Sequence, residues 1–279
     1  MGRTRPLVPV DESPVDRVVL SRILGLVSPQ MILVGGQALA FWMLRFGIGG
    51  RAGSPDARLS GVTTDVDFLG SVEYALDLAH ALNARFIASD KRAMTALVGQ
   101  VRIPAASGLA YNVDILHQIF DIGGLAKSAA FARRARSRAS EVQLADARTI
   151  RILHPADVLA SRIQNAAGLS EAKGPHVVTQ ARWSVKVARR AMERLARFGA
   201  QETTDRPGAL AAEIYRLAIS RAGRIVLQDH GIEVADAIPF GLLARKVDGF
   251  DEQARKMLES LRQKKRAVAH AADAQLVGK

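Results

Sequence analysis

At 279 residues, 48% of them hydrophobic, the chain is long enough to bury one large core or two smaller ones. Lys and Arg number 39 against 27 Asp and Glu, and the resulting net charge of +12 points to an anionic partner, nucleic acid or a membrane surface. Cysteine is absent, which excludes disulfides and thiolate metal sites, and aromatics at 5% are too sparse for a base-stacking platform.

The opening stretch "RPLVPVDESPVD" is interrupted by Pro6, Pro9, Asp11 and Glu12, so it does not read as a signal peptide. The longest apolar run, "ALAFWML", is far too short to cross a bilayer, and the expectation is a soluble, cytoplasmic protein without a membrane partner. Residues 13 to 27 read as a helix, with Ser13 as N-cap and Pro14 at the first helical position. "QMILVGG" then reads as a short buried strand that stops at Gly35 and Gly36, and "QALAFWMLRF" as a helix starting straight after them. Residues 47 to 63 are rich in Gly, Ser and Arg and read as a loop.

"GVTTDVDFLG" sets Asp65 and Asp67 in an apolar frame. On a strand, the period of two aims both carboxylates at one face and Val66 and Phe68 at the other, with about 7 Å between the aspartate Cα atoms. The bland alternative is an Asp-rich turn. A helix, "SVEYALDLAHALNA", follows with Leu76, Ala79 and Leu82 on one side. "TALVGQVRIPA" and "GLAYNVDILHQIF" read as strands around an "AASG" turn, and the second carries Asp114 between Val113 and Ile115. From "GLAKSAAFARRARSRA" onward the spacing is helical, apart from a brief strand "TIRIL" at 149 to 153. Helices are expected at 155–167, 175–198, 207–222 and 251–270. The expected architecture is therefore α+β: an α/β part over 1–150 and an all-helical part over 151–279.

Three carboxylates inserted into otherwise apolar strands, Asp65, Asp67 and Asp114, would form an oxygen-ligand site for divalent cations if they converged on one sheet face. A Gly35–Gly36 turn opening a helix offers backbone N–H groups to phosphates, although alone it is most simply a tight turn. The basic stretches "RRARSR" at 133–138 and "QARWSVKVARRAMERLARF" suit either a nucleic-acid contact or a solvated helix face. In the second, Trp183 and Val187 are expected in the core, with Arg182, Lys186 and Arg190 on another face. His117, His154, His176, His230 and His270 lack metal-ligand spacing and read as structural.

In type and order, "LVGGQALAFWM", "TTDVDFLG" and "YNVDILHQI" resemble the DNA polymerase β-like nucleotidyltransferase superfamily. The likeness is greatest to the nucleotidyltransferase toxins of abortive-infection and type IV toxin–antitoxin systems, whose Pro-x-Asp helix resembles "LHPADVLASRIQNAAGL". The resemblance covers about residues 31 to 168 as a pattern. It implies a polymerase β-like catalytic domain over 1–150 with a mixed sheet and flanking helices, followed by a helical domain. Implied catalytic and metal residues are Asp65, Asp67 and Asp114, holding two Mg²⁺ ions, with Mn²⁺ as a substitute. Gly35, Gly36, Gln37, Thr64 and Arg162 would bind an NTP, whose NMP goes to an RNA acceptor such as a tRNA 3′ end. A cognate antitoxin is a further implied partner. Two departures stand out: the gap between Gly36 and Asp65 is longer than the family's, and Arg162 stands where the family carries a phosphate-reaching lysine. Two alternatives are a catalytically inactive nucleic-acid-binding or antitoxin-like module on the same fold, and a small-molecule nucleotidyltransferase.

Overall fold

The structure, a computed structural model, describes residues 15, 17–48, 65–90, 95–105, 108–144, 147–199 and 205–277. Thr64, the Ser13 cap, Pro14 and all but the first two residues of the 47–63 loop lie outside the described residues. The chain divides into two compact units. One comprises Met1–Ala40, Arg51–Ile119 and Leu125–Leu153, the other Phe41–Gly50, Phe120–Gly124 and His154–Lys279. Residues 41–50 and 120–124 thus belong with the helical unit although they lie inside 1–150. The architecture is α+β, with a mixed seven-stranded sheet in the first unit.

The first unit starts with α1 (Arg17–Leu26), whose Arg22 Nη2 donates to the Leu82 carbonyl at 3.3 Å. Strand β1 (Ile32–Leu33) is only two residues long, although Met31 to Val34 are all buried. Such a continuous apolar run fits a strand covered on both faces. It pairs antiparallel with β2 (Asp65–Leu69) and parallel with β7 (Thr149–Ile152). Helix α2 (Gly35–Arg45) begins at Gly35 itself, not after Gly36, because Ala38 N–H already donates to the Val34 carbonyl at 3.2 Å.

After β2 comes α3 (Val72–Leu82), started by Ser71, whose Oγ accepts from Tyr74 N, and ended by Asn83 in the left-handed region at φ 51°. Asn tolerates that conformation better than most residues, so the helix stops there. Its buried stripe is Ala75, Leu78, Ala79 and Leu82; Leu76, expected on one side with Ala79 and Leu82, is 50% exposed because it lies off that stripe. Strands β3 (Arg85–Ala88), β4 (Leu97–Pro104) and β5 (Ala110–Leu116) complete one half of the sheet, and β6 (Ser140–Gln143) with β7 the other. The order is β3-β4-β5-β2-β1-β7-β6. Helix α4 (Leu125–Arg138) buries Ser128, Phe131, Ala132 and Ala135 and leaves Arg133, Arg134 and Arg136 exposed.

The second unit contains α5 (Pro155–Lys173), α6 (His176–Phe198), α7 (Pro207–Ile219), α8 (Arg221–His230), a 3₁₀ turn at Val234–Ala237, α9 (Phe240–Lys246) and α10 (Phe250–Val277). Leu159, Ile163, Ala181, Met192, Leu210, Ile214, Val226 and Phe250 belong to its core. The single helix expected at 207–222 is broken at Ser220, which is extended at φ −67°, ψ 171° and caps α8 by accepting from Gly223 N at 3.2 Å. Gly223 has no Cβ, and one there would overlap the Leu217 and Ala218 carbonyls, so the tight corner requires it. Among the described residues no helix is long and apolar enough to cross a membrane.

Candidate metal centre

Strands β2 and β5 run parallel in a register that sets Asp65 against Asn112 and Asp67 against Asp114. Cα partners on paired strands share a sheet face, so all three aspartates project from one side, while Val66, Phe68, Val113 and Ile115 are buried on the other. The Asp pair therefore lies on a strand and not in a turn. Each of Asp65, Asp67 and Asp114 offers a carboxylate oxygen within 4.8 Å of the other two, and each is half-buried. This is a donor set that could hold a metal ion. Oxygen ligands alone suit a hard divalent cation, and a cation among them offsets their mutual repulsion.

One neighbour fixes the geometry of Asp114. Gln100, its Cα partner on β4, donates from Nε2 to Asp114 Oδ1 at 2.8 Å. The turn alone does not predict this pairing: counting outward from an "AASG" turn at 105–108 would set Pro104 against Leu109 and Gln100 against Val113, whereas the register sets Pro104 against Ala110 and Gln100 against Asp114. The hairpin closes through Gly108 N–H to the Ala105 carbonyl at 3.1 Å.

On the other flank of β2, Val34 N–H donates to the Asp67 carbonyl at 2.9 Å, which brings the start of α2 against Asp67. Gly35 there has φ +66°, a left-handed conformation that other residues adopt at a cost. A Cβ at this position would overlap the Asp67 carboxylate and stand 2.9 Å from the Asp67 Cβ. Gly35 is thus required twice, by its backbone and by the closeness of the carboxylate. Gly36 and Gln37 follow in the first turn, both buried.

Arg162 is buried. It is 9% exposed on α5, where Nη1 donates to Gln180 Oε1 at 2.9 Å and Nη2 to Ser161 Oγ at 3.0 Å. Asp157 of the Pro-x-Asp segment is fully buried in the first turn of the same helix, behind Pro155 at its start. The helix is capped by His154, whose Nδ1 accepts from Ala156 N at 3.3 Å while Nε2 faces Asp205 Oδ2 at 3.2 Å, a structural role. His230 Nε2 meets the Ala166 carbonyl at 3.3 Å.

Many of the basic side chains are engaged within their own unit. Arg182 donates to the His230 carbonyl at 2.6 Å, Arg189 and Arg190 pair with Glu193 at 3.2 and 2.9 Å, and Arg136 donates to the His117 carbonyl at 3.2 Å. Trp183 is half-buried, not core, and Lys186 Nζ lies 4.2 Å from its ring centroid. Val187 is buried as expected.

No protein-family model matches the chain, and a search of curated proteins returns no match.

Proposed function

We propose that the protein is a metal-dependent nucleotidyltransferase that moves NMP from an NTP to an RNA hydroxyl, such as a tRNA 3′ end, in the manner of the toxin-like enzymes its motifs resemble. The observation that carries the proposal is the convergence of Asp65, Asp67 and Asp114, one carboxylate oxygen from each within 4.8 Å of the others, on adjacent strands beside a glycine that admits no Cβ. Buried or half-buried like charges on apolar strands are unfavourable unless a ligand compensates them. That favours a working site over an inactive module.

Asp65 and Asp67 would hold Mg²⁺ together with Asp114, since the donor set is all oxygen. When bound, paired Mg²⁺ ions neutralise charge on the reacting phosphates. The chain's own groups do the rest. Gly35 and Gly36 bring the first turn of α2 beside Asp67, where its N–H groups and those of Gln37 suit the phosphates of the NTP. Gln100 holds Asp114 in position by its 2.8 Å hydrogen bond, and Asp114 accepts the proton of the acceptor hydroxyl. The hydroxyl oxygen forms a bond to the α-phosphorus as the bond from that phosphorus to the bridging oxygen breaks, and pyrophosphate leaves. Arg162 has no part in this proposal, because both of its Nη atoms donate to Gln180 and Ser161.

Purified protein incubated with each α-labelled NTP, Mg²⁺ and total RNA should label RNA with at least one nucleotide. Labelling should vanish with a chelator and in D67A. Equal labelling by wild type and D67A would overturn the proposal.

A further inference from the structure

Two arginines share the carboxylate face of the sheet, and nothing in the mechanism above uses them. Arg85 on β3 and Arg102 on β4 are direct cross-strand partners, and Arg102 in turn partners Asn112, which partners Asp65. Because partners share a face, one row across the sheet reads Arg85, Arg102, Asn112, Asp65, and the next reads Ile87, Gln100, Asp114, Asp67. Arg102 is therefore diagonal to Asp114, at about 7–8 Å between Cα atoms.

Like charges placed directly opposite in an antiparallel pair are destabilising, with Cβ atoms about 4.5–5.5 Å apart. No hydrogen bond, ion pair or ring contact of either arginine side chain is found among the described residues. Arg85 alone has a simple explanation, since β3 is an edge strand and charge on an edge discourages pairing with other chains. Arg102 does not: it is on the inner strand β4, half-buried, between β3 and β5.

We infer that Arg85 and Arg102 together form a phosphate-binding pair that holds the RNA acceptor's backbone next to the three aspartates. Two guanidiniums facing each other across a strand pair match the oxygens of one phosphodiester, and arginine binds phosphate in a planar, bidentate way. The sheet order selects the acceptor over the NTP. Helix α2, with its phosphate-facing turn, springs from β1 on one side of β2, whereas the arginines lie on β4 and β3, on the far side of β5. This inference rests on the nucleotidyltransferase reading for the word "acceptor"; the binding itself needs no catalysis.

The test uses a labelled single-stranded RNA and, separately, a fluorescent NTP with Mn²⁺, on the full chain carrying R85Q/R102Q. RNA affinity should fall at least tenfold at low salt. The slope of log K against log[salt] should flatten by about 0.7, the value for one single-strand phosphate contact, while NTP affinity stays within twofold. A second variant, R85E, replaces a repelling pair with an attracting one, so it should melt at or above wild type and still lose RNA binding. The same losses should appear when both changes are made in a D65N/D67N background, which separates failure of this inference from failure of the catalytic proposal. Unchanged RNA affinity, or a loss confined to the NTP, would overturn the assignment.

Discussion

Replacing Gly35 by Ala tests the closest approach in the candidate centre. Alanine at φ +66° costs about 1–2 kcal/mol, because Cβ crowds the following carbonyl in the left-handed region. The new Cβ also overlaps the Asp67 carboxylate, which must move or push α2 away, and overpacking of this kind costs about 1–3 kcal/mol. G35A should therefore lose about 2–5 kcal/mol of unfolding free energy. D67A alone, in metal-free buffer, should be neutral or slightly stabilising, since it removes one of three neighbouring like charges. The double variant G35A/D67A loses the overlap with the carboxylate but keeps the backbone cost and the 2.9 Å approach to the Cβ of residue 67, so the double-mutant cycle should show coupling of about 1–2 kcal/mol. Urea unfolding of the four proteins without metal measures all these quantities. Additive effects, with G35A costing the same in the presence and absence of the Asp67 side chain, would refute the steric account of Gly35.

The Ser220 cap and the small residue at Gly168 make simpler cases. S220A removes the oxygen that accepts from Gly223 N at 3.2 Å and should destabilise the helical unit by about 1 kcal/mol in urea, with S220D retaining most of the stability. G168A would place a Cβ 2.8 Å from Ile122 Cγ2 and 2.9 Å from Phe120 Cζ, and should lower stability by about 1–3 kcal/mol by calorimetry. With a net charge of +12, RNA binding by the wild type should weaken steeply between low and high salt, and an electrophoretic shift unchanged across that range would contradict phosphate-based binding.

The parts of the fold that the sequence made legible are those whose pattern is imposed by burial. Val66 and Phe68 had to be inside, so Asp65 and Asp67 had to share the opposite face, and the same parity around Val113 and Ile115 places Asp114. Strand β3 was not legible: its four residues are all partly or fully exposed, so no alternation marks it. Strand β6 is four residues between an Arg- and Ala-rich helix and a turn, too short for its buried Ser140 and Val142 to stand out. The break at Ser220 lies inside a continuous helical pattern and depends on a serine cap and a contact of Gly223 with the Leu217 and Ala218 carbonyls, which periodicity does not report. The burial of Arg162 was hidden for a related reason. Spacing does not report that every residue of α5 from Pro155 through Gln164 is buried, or that Arg162 Nη1 and Nη2 donate to Gln180 and Ser161 there. The Arg85–Arg102 pairing requires the register of β3, an element that the sequence concealed.

The central claim is that this site transfers a nucleotidyl group, and following the two ends of one NTP tests it most directly. Wild-type protein should be incubated with Mg²⁺, total RNA and the active NTP carrying its label on either the α- or the γ-phosphate. The account predicts that α-label becomes attached to RNA and γ-label is released in pyrophosphate, in equal amounts. Label from the γ-phosphate on RNA, or γ-label released as free phosphate with no α-label on RNA, would contradict it.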